Sequence, residues 1–230
     1  MPYFPDLTSY VIIFTMNKPE RIKGFYDALY KRFGPQGWWP SDTELECILG
    51  AILTQNTAWK NVEKALENLR REGLISVEKL ALISTPALAE LIRPSGYFNQ
   101  KAIKIKNFIK FLMENYGGDL QKMIEEDTAN LREKLLGVRG IGPETADSIL
   151  LYAAKKPTFV VDAYTYRVLS RHGLIPEEST YGEMQEVFMD SLPKNAQLFN
   201  EYHALIVRLG KEWCKKNPIC EGCPLEYDPH

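Results

Sequence analysis

Three cysteines crowd the end of the chain, at Cys214, Cys220 and Cys223 in the stretch WCKKNPICEGCPLEYDPH, and no fourth follows. Thiolates are the donors that soft metals and iron–sulfur clusters take. In a reducing compartment so tight a group reads as a metal or cluster site rather than a disulfide framework. The remaining cysteine, Cys47, lies in an apolar helical stretch and reads as a buried thiol acting as a small hydrophobe. A second chemical candidate is Asp162, which follows the apolar run Phe159-Val160-Val161 and precedes a helical pattern. There it is an N-cap, accepting backbone hydrogen bonds at a helix start that keeps a carboxylate ionised. An ionised carboxylate can also stabilise a sugar cation or help a water attack, as in glycoside hydrolysis. Cap and catalyst are compatible roles.

The third candidate is the stretch LLGVRGIGPETAD, a glycine-punctuated hairpin between two helices. Gly137, Gly140 and Gly142 permit tight turns and close backbone approach, and Pro143 suits the first position of the second helix. Backbone N–H groups at that helix start make an anion site that a DNA phosphate would suit. A plain helix–helix turn with no ligand fits the same spacing.

The elements that must carry these groups are helical. SDTELECILGAILTQ opens on Ser41 as a candidate N-cap, with Glu44 three residues on, and Leu45, Ile48, Leu49, Ile52 and Leu53 follow at helical period. NTAWKNVEKALENLRREG repeats the pattern and ends at Gly73. Thr85-Pro86 opens a short helix, and NQKAIKIKNFIKFLMENYGG a long one. Helical patterns continue to GKEW, and PTFVV is the one β-like run. The chain is expected to be all-α. Its 230 residues, 45% hydrophobic and 25% charged, suffice for one large domain or two small ones. The opening SYVIIFTM is too short for a membrane span and lacks the flanks of a signal peptide, so the expected address is the cytoplasm, with no membrane partner.

The hairpin, the downstream VVDAYTYRV and the terminal cysteines, in that order, resemble the helix-hairpin-helix DNA glycosylase superfamily, in its endonuclease III branch. The likeness runs from about Trp38 to Cys223. WWP, LTQNTAW and RPSGYFNQKA are more similar to the 3-methyladenine DNA glycosylases within it. The resemblance implies two helical domains flanking a DNA-binding cleft. A barrel would span 36–155 and carry the helix-hairpin-helix at about 130–153. A second domain, of 1–35 with 156–230, would carry Asp162 and the cysteine loop. It implies a nucleoid-associated monomer that binds duplex DNA containing a damaged base, flips that base out and hydrolyses its glycosidic bond, with Asp162 as the family's catalytic aspartate. Bifunctional members carry a Schiff-base lysine two residues after the hairpin's last glycine. Here that position is Glu144, which implies a monofunctional enzyme, while the likeness to the 3-methyladenine glycosylases implies alkylated purines as its substrates.

Under the same resemblance Trp38, Trp39, Pro40, Trp59 and Glu144 line the base pocket, aromatic faces attracting the positive charge of an alkylated base. Trp59, spaced with Val62 and Leu66, also fits plain core packing. Gln55 would fill the gap left by the flipped base and Tyr97 would wedge into the stack, where leucine is frequent in the family. Net charge is only −2, so DNA binding needs a segregated basic face. Lys101, Lys104, Lys106, Lys110, Arg139, Lys211, Lys215 and Lys216 are its candidates, beside the hairpin backbone at Gly140 and Gly142.

The family's loop is C-x6-C-x2-C-x5-C around a [4Fe-4S] cluster. Here the first gap is x5 and the fourth slot falls on Pro229. Asp228 and His230 lie one residue to either side, and zinc held by the three cysteines and His230 is the alternative to the cluster. Rival functions are an endonuclease III-like glycosylase for oxidised pyrimidines or mismatched thymine, a silent helix-hairpin-helix DNA-binding module, and a redox-sensing cluster protein.

Overall fold

The computed structural model describes residues 16–39 and 41–228. Pro40 and His230, expected in the base pocket and among the cysteine-site donors, lie outside them. The described residues form helices and turns with no strand, so the all-α expectation holds for them; Phe159, Val160 and Val161 are a buried connection without regular secondary structure. No described helix is long and apolar enough to cross a membrane. The chain divides into two compact units, one of Trp39–Pro157, the other joining the described residues before Trp39 to those from Thr158 onward.

The Trp39–Pro157 unit is built around the helix Glu44–Leu53. Numbering in chain order, α1 is Lys18–Phe33, α2 Glu44–Leu53, α3 Trp59–Arg71, α4 Val77–Leu82, α5 Thr85–Leu91, α6 Phe98–Tyr116, α7 Leu120–Glu125, α8 Thr128–Leu136 and α9 Pro143–Ser148. α9 runs on into a π turn, Ile149–Ala153. Every residue of α2 from Leu45 to Leu53 is buried, as a helix apolar all round must be. Its cap is Thr43, whose side chain accepts from Glu46 N, rather than Ser41. Both positions have glutamate three residues on. Glu46 does not close a capping box; its buried carboxylate takes Arg70 Nε at 3.1 Å and also Arg70 Nη2. Cys47 is 1% exposed, and burial pushes its thiol up to about 12.

The second unit holds α1, α10 (Ala163–Arg171), α11 (Tyr181–Met189) and α12 (Ala196–Glu212). Its core is aromatic: Phe159 stacks on Phe188 with centroids 3.8 Å apart, and Phe199 and Tyr202 meet Phe159 edge-on. Tyr202 Oη donates to Ile22 O at 2.7 Å, tying α12 to α1. α10 lies against α12 so closely that a Cβ on Gly210 would sit 2.2 Å from Tyr164 Cδ1. This close approach sets the start of α10 against the C-terminal part of α12.

Candidate active site

Asp162 is the N-cap of α10, in extended backbone at φ −128°. Its Oδ1 accepts from Thr165 N at 2.8 Å and from Thr165 Oγ1 at 3.0 Å, and its Oδ2 lies 3.5 Å from Nε2 of His203 on α12. The side chain is 14% exposed. Burial works against the charged form, but His203 and the two Thr165 donors outweigh it and hold the carboxyl below the usual aspartate range. The result is an ionised, oriented carboxylate with a small solvent-facing window. Sequence reading missed His203. It sits on the buried stripe Phe199, Tyr202, Ile206 and Leu209, where a histidine reads as core.

In the other unit the hairpin joins α8 to α9. Gly140 has φ +100°, and a Cβ there would meet Lys104 Cγ at 2.5 Å, so glycine is needed for both conformation and contact. Gly142 caps α9 with an ordinary negative φ, and Pro143 occupies its first turn. Arg132 on α8 and the fully buried Asp147 on α9 pair in two parallel bonds, Nε–Oδ1 at 2.7 Å and Nη2–Oδ2 at 3.0 Å, clamping the two hairpin helices together. Arg139 and Glu144 are exposed. Gln55 turns onto the hairpin: its Nε2 donates to Thr145 Oγ1 at 2.8 Å and Gly140 O at 3.2 Å, and its Oε1 accepts from Lys104 Nζ.

Lys101, read from sequence as a DNA-contacting charge, is 2% exposed. Its Nζ donates to Leu53 O, Thr57 Oγ1 and Ser95 O at 2.6–2.8 Å. The ammonium thus holds the Gln55 loop to the Tyr97 loop from inside, and burial with nearby Lys104 lowers its pKa to about 8. Tyr97 itself is 68% exposed and left-handed at φ 47°, an isolated aromatic at the head of α6. Lys106 is likewise spent on carbonyls, those of Leu80, Ala81 and Ile83.

Of the tryptophans, Trp39 stacks on Tyr152 at 4.7 Å and meets Trp59 edge-on at 4.8 Å, a three-ring cluster within one unit. Gly50 lets the rings approach α2: a Cβ there would touch both indoles at 3.4 Å. Tyr152 was not singled out from sequence, because it falls inside an apolar run. Trp38 belongs to the other unit, with Lys211 Nζ 5.7 Å from its ring centroid.

The three terminal cysteines are free thiols that line one pocket of about 210 Å³. Its other walls include Arg171, His172, Trp213, Ile219 and Leu225. Among the described residues no three His, Cys, Asp or Glu side chains converge as the ligands of one metal ion would, so the iron–sulfur loop expected from sequence is not formed as a ligand set here. The donor chemistry nonetheless suits sulfur ligation: the thiols are close enough that Cys214 and Cys220, after burial, raise the pKa of Cys223. Arg171 Nη1 also donates to Cys214 Sγ at 3.2 Å. Asp228 is buried outside the pocket lining, accepting from Arg21 Nε at 2.8 Å and Nη2 at 2.5 Å and contacting His172 Nδ1 at 2.8 Å. Arg167 and Arg171 bind the backbone carbonyls of Cys214, Lys215 and Lys216, leaving both lysine side chains exposed.

A helical chain with a clamped glycine hairpin and a capped, ionised aspartate defines the class of helix-hairpin-helix proteins with a carboxylate site. The HhH-GPD superfamily of base excision DNA repair proteins matches residues 49–194. A Methanocaldococcus jannaschii protein named "Putative DNA repair glycosylase MJ1434" is 48% identical over 211 residues, 91% of this chain and 96% of its own. The endonuclease III of Thermotoga maritima is 32% identical over 180 residues, 78% of this chain and 79% of its own. Among solved structures, the H. pylori 3-methyladenine DNA glycosylase MagIII bound to 1,N6-ethenoadenine is similar with a TM-score of 0.73 and 33% identity, covering 86% of this chain and 98% of that one. A non-covalent endonuclease III–DNA complex, at 22% identity and a TM-score of 0.80 over 94% of this chain and 96% of that one, shares the fold. The chain belongs to the HhH-GPD superfamily, in its endonuclease III-related branch, and is at that level a DNA repair glycosylase.

Proposed function

We propose that the protein is a monofunctional glycosylase that removes alkylated purines, such as 3-methyladenine, from duplex DNA. The observation that carries this reading is Asp162, ionised, oriented by Thr165 and His203, and still reached by solvent. As the N-glycosidic bond lengthens, positive charge grows on the deoxyribose, and a fixed carboxylate stabilises it; water then adds to the sugar and its proton passes to solvent or to Asp162. Free base and an abasic site result. Strand cleavage by a Schiff base needs an amine, and Glu144 stands where the bifunctional relatives' lysine would, which favours hydrolysis alone.

The choice of alkylated purine is supported by the flat faces of Trp39, Trp59 and Tyr152, suited to an electron-poor base, and by the likeness to MagIII. Glu144 is assigned to the same proposed pocket, and Trp38 is proposed to contact the base. The DNA grip is assigned to the hairpin backbone at Gly140 and Gly142, with Arg139, Lys215 and Lys216 neutralising phosphate. Tyr97 is the wedge, and Gln55 the plug, which must leave Gly140 and Thr145 to act. The cysteine loop is proposed to hold a [4Fe-4S] cluster through Cys214, Cys220 and Cys223; when bound, the cluster braces the loop that presents Lys215 and Lys216.

A panel of duplexes, each with one lesion, incubated with the parent and with Asp162→Asn, tests the activity. Release of alkylated purines by the parent and at least a hundredfold loss in the variant are expected. Release limited to oxidised pyrimidines or mismatched thymine would replace the substrate assignment. Efficient borohydride trapping on DNA would overturn the monofunctional reading, and equal rates for both proteins would remove Asp162 from the chemistry.

A further inference from the structure

Within the described residues the terminal loop supplies three cysteines, and a proline stands in the family's fourth slot, so a fourth donor is sought elsewhere among those residues. The pocket lined by Cys214, Cys220 and Cys223 has a second kind of soft donor in its wall: His172, at the C-terminal end of α10, 42 or more residues away in sequence. We propose that His172 is the fourth protein ligand, through Nε2, and that Asp228 is the positioning residue that orients it. This rests on the cluster reading of the cysteine loop made above.

Four observations support the assignment. The His172 side chain is 9% exposed and packed edge-on against Phe25 at 5.0 Å, so the ring is fixed rather than free at the surface. Its Nδ1 lies 2.8 Å from Asp228 Oδ2. Asp228 already accepts two bonds from Arg21, which also donates to His172 O at 2.7 Å, so the carboxylate acts as an acceptor and Nδ1 carries the proton. That tautomer directs the imidazole's donor lone pair to Nε2, the carboxylate–histidine arrangement that recurs behind metal-bound imidazoles. Arg171, the neighbouring residue, already reaches Cys214 Sγ, so the end of α10 and the first cysteine meet in the same pocket.

The competing donors fare less well. Asp228 is not part of the pocket lining, and both its oxygens are held by Arg21 and His172. Glu226 does line the pocket, but it is exposed and its Oε2 accepts from Gly222 N at 2.9 Å, closing the Gly222 turn. A carboxylate is also the harder donor for iron already bound by sulfide and thiolate.

The test is anaerobic reconstitution of the full chain with iron and sulfide. Parent, His172→Ala, His172→Cys and Asp228→Asn are compared, each checked for helicity by circular dichroism. Iron and labile sulfide per chain, and nitrogen hyperfine coupling in pulsed EPR of the reduced protein, are the readouts. The parent should bind about four irons with an imidazole nitrogen coupling. In His172→Ala the coupling should vanish and iron content fall. His172→Cys should keep about four irons with no nitrogen coupling, as an all-sulfur set does. Asp228→Asn should keep the coupling but lose iron faster to a chelator. A parent with about four irons and no nitrogen coupling would overturn the His172 assignment while leaving the cluster. So would a folded His172→Ala that matches the parent. A parent that takes up no iron, or a single zinc, would instead overturn the cluster reading on which the assignment stands.

Discussion

Lys101→Met is the sharpest test of how the site is held. The substitution keeps an unbranched side chain of similar length and removes the three hydrogen bonds from Nζ. Leu53 O is the acceptor most exposed to the loss, because Thr57 N, the donor a continuing helix would offer it, bonds Thr54 O instead. A buried carbonyl left without its donor costs about 1–3 kcal/mol. Ser95 O and Thr57 Oγ1 keep each other at 2.5 Å, so losing Lys101 costs each of them less, about 0.5–1.5 kcal/mol. Relief from burying an ammonium, whose pKa is already lowered to about 8, works the other way. The net expectation is a destabilisation of roughly 2–4 kcal/mol. Lys101→Arg should not restore it, because three acceptors surround a single nitrogen.

Two assays separate this internal brace from a DNA contact. Urea unfolding followed by circular dichroism reads stability. The salt dependence of duplex binding reads phosphate neutralisation, each contact adding about one unit to the slope. Lys101→Met should lower the unfolding midpoint and slow single-turnover base release tenfold or more, through the displaced Gln55 and Tyr97 loops, with the salt slope unchanged. Lys215→Gln with Lys216→Gln should do the reverse, leaving stability alone and flattening the slope. If Lys101→Met unfolds with the parent and loses about one unit of slope, the brace argument is wrong. The lysine also sets a pH signature. Its folded pKa lies below its unfolded value, so the folded state releases the proton first, and stability should rise as pH passes from about 8 towards 10.4.

Asp147→Asn should destabilise by about 1–3 kcal/mol, because it takes the charged partner from a part-exposed Arg132 in a two-bond pair; urea unfolding checks it. Tyr97→Ala should leave the unfolding midpoint unchanged, since the ring is mostly exposed, while lowering single-turnover base release from duplex more than from single strand. For Asp162 the folded pKa is depressed, so its contribution to stability is present above the ordinary aspartate pKa and is lost as pH falls through the lower folded value. The pH–rate profile for base release should therefore stay flat through the ordinary carboxylate range. His203→Gln, by removing one of the partners that holds the charge, should move its acid limb to higher pH. Gly210→Ala should have a similar effect at one remove: its Cβ would meet the Tyr164 ring, push α10 from α12 and separate Asp162 from His203.

What the sequence made legible was local. Asp162 reads as a cap because the cap signal, an apolar run followed by a short polar residue and a helical pattern, occupies a few adjacent residues. The hairpin reads as a hairpin because glycine and proline act where they stand. Ser41 and Thr43 show the limit of even this: each has glutamate three residues on, and the choice fell to Thr43 in a helix where Glu46 is committed to Arg70, a residue 24 positions away. Lys101 was legible in part. It lies four residues before Ile105 and seven before Phe108, on the stripe that α6 buries, so helical period alone places it inside. Its charge argued for the surface, and only the convergence of Leu53 O, Thr57 Oγ1 and Ser95 O resolves the conflict. His203 and Asp162, or His172 and Cys214, are about 40 residues apart and meet because α10 and α12 approach through Gly210, a contact no sequence period encodes. The same helix pair thus sets both constellations of this unit. α10 begins at the carboxylate and ends at His172, so a change in its packing on α12 is expected to disturb the acid limb of the pH–rate profile and the retention of iron together.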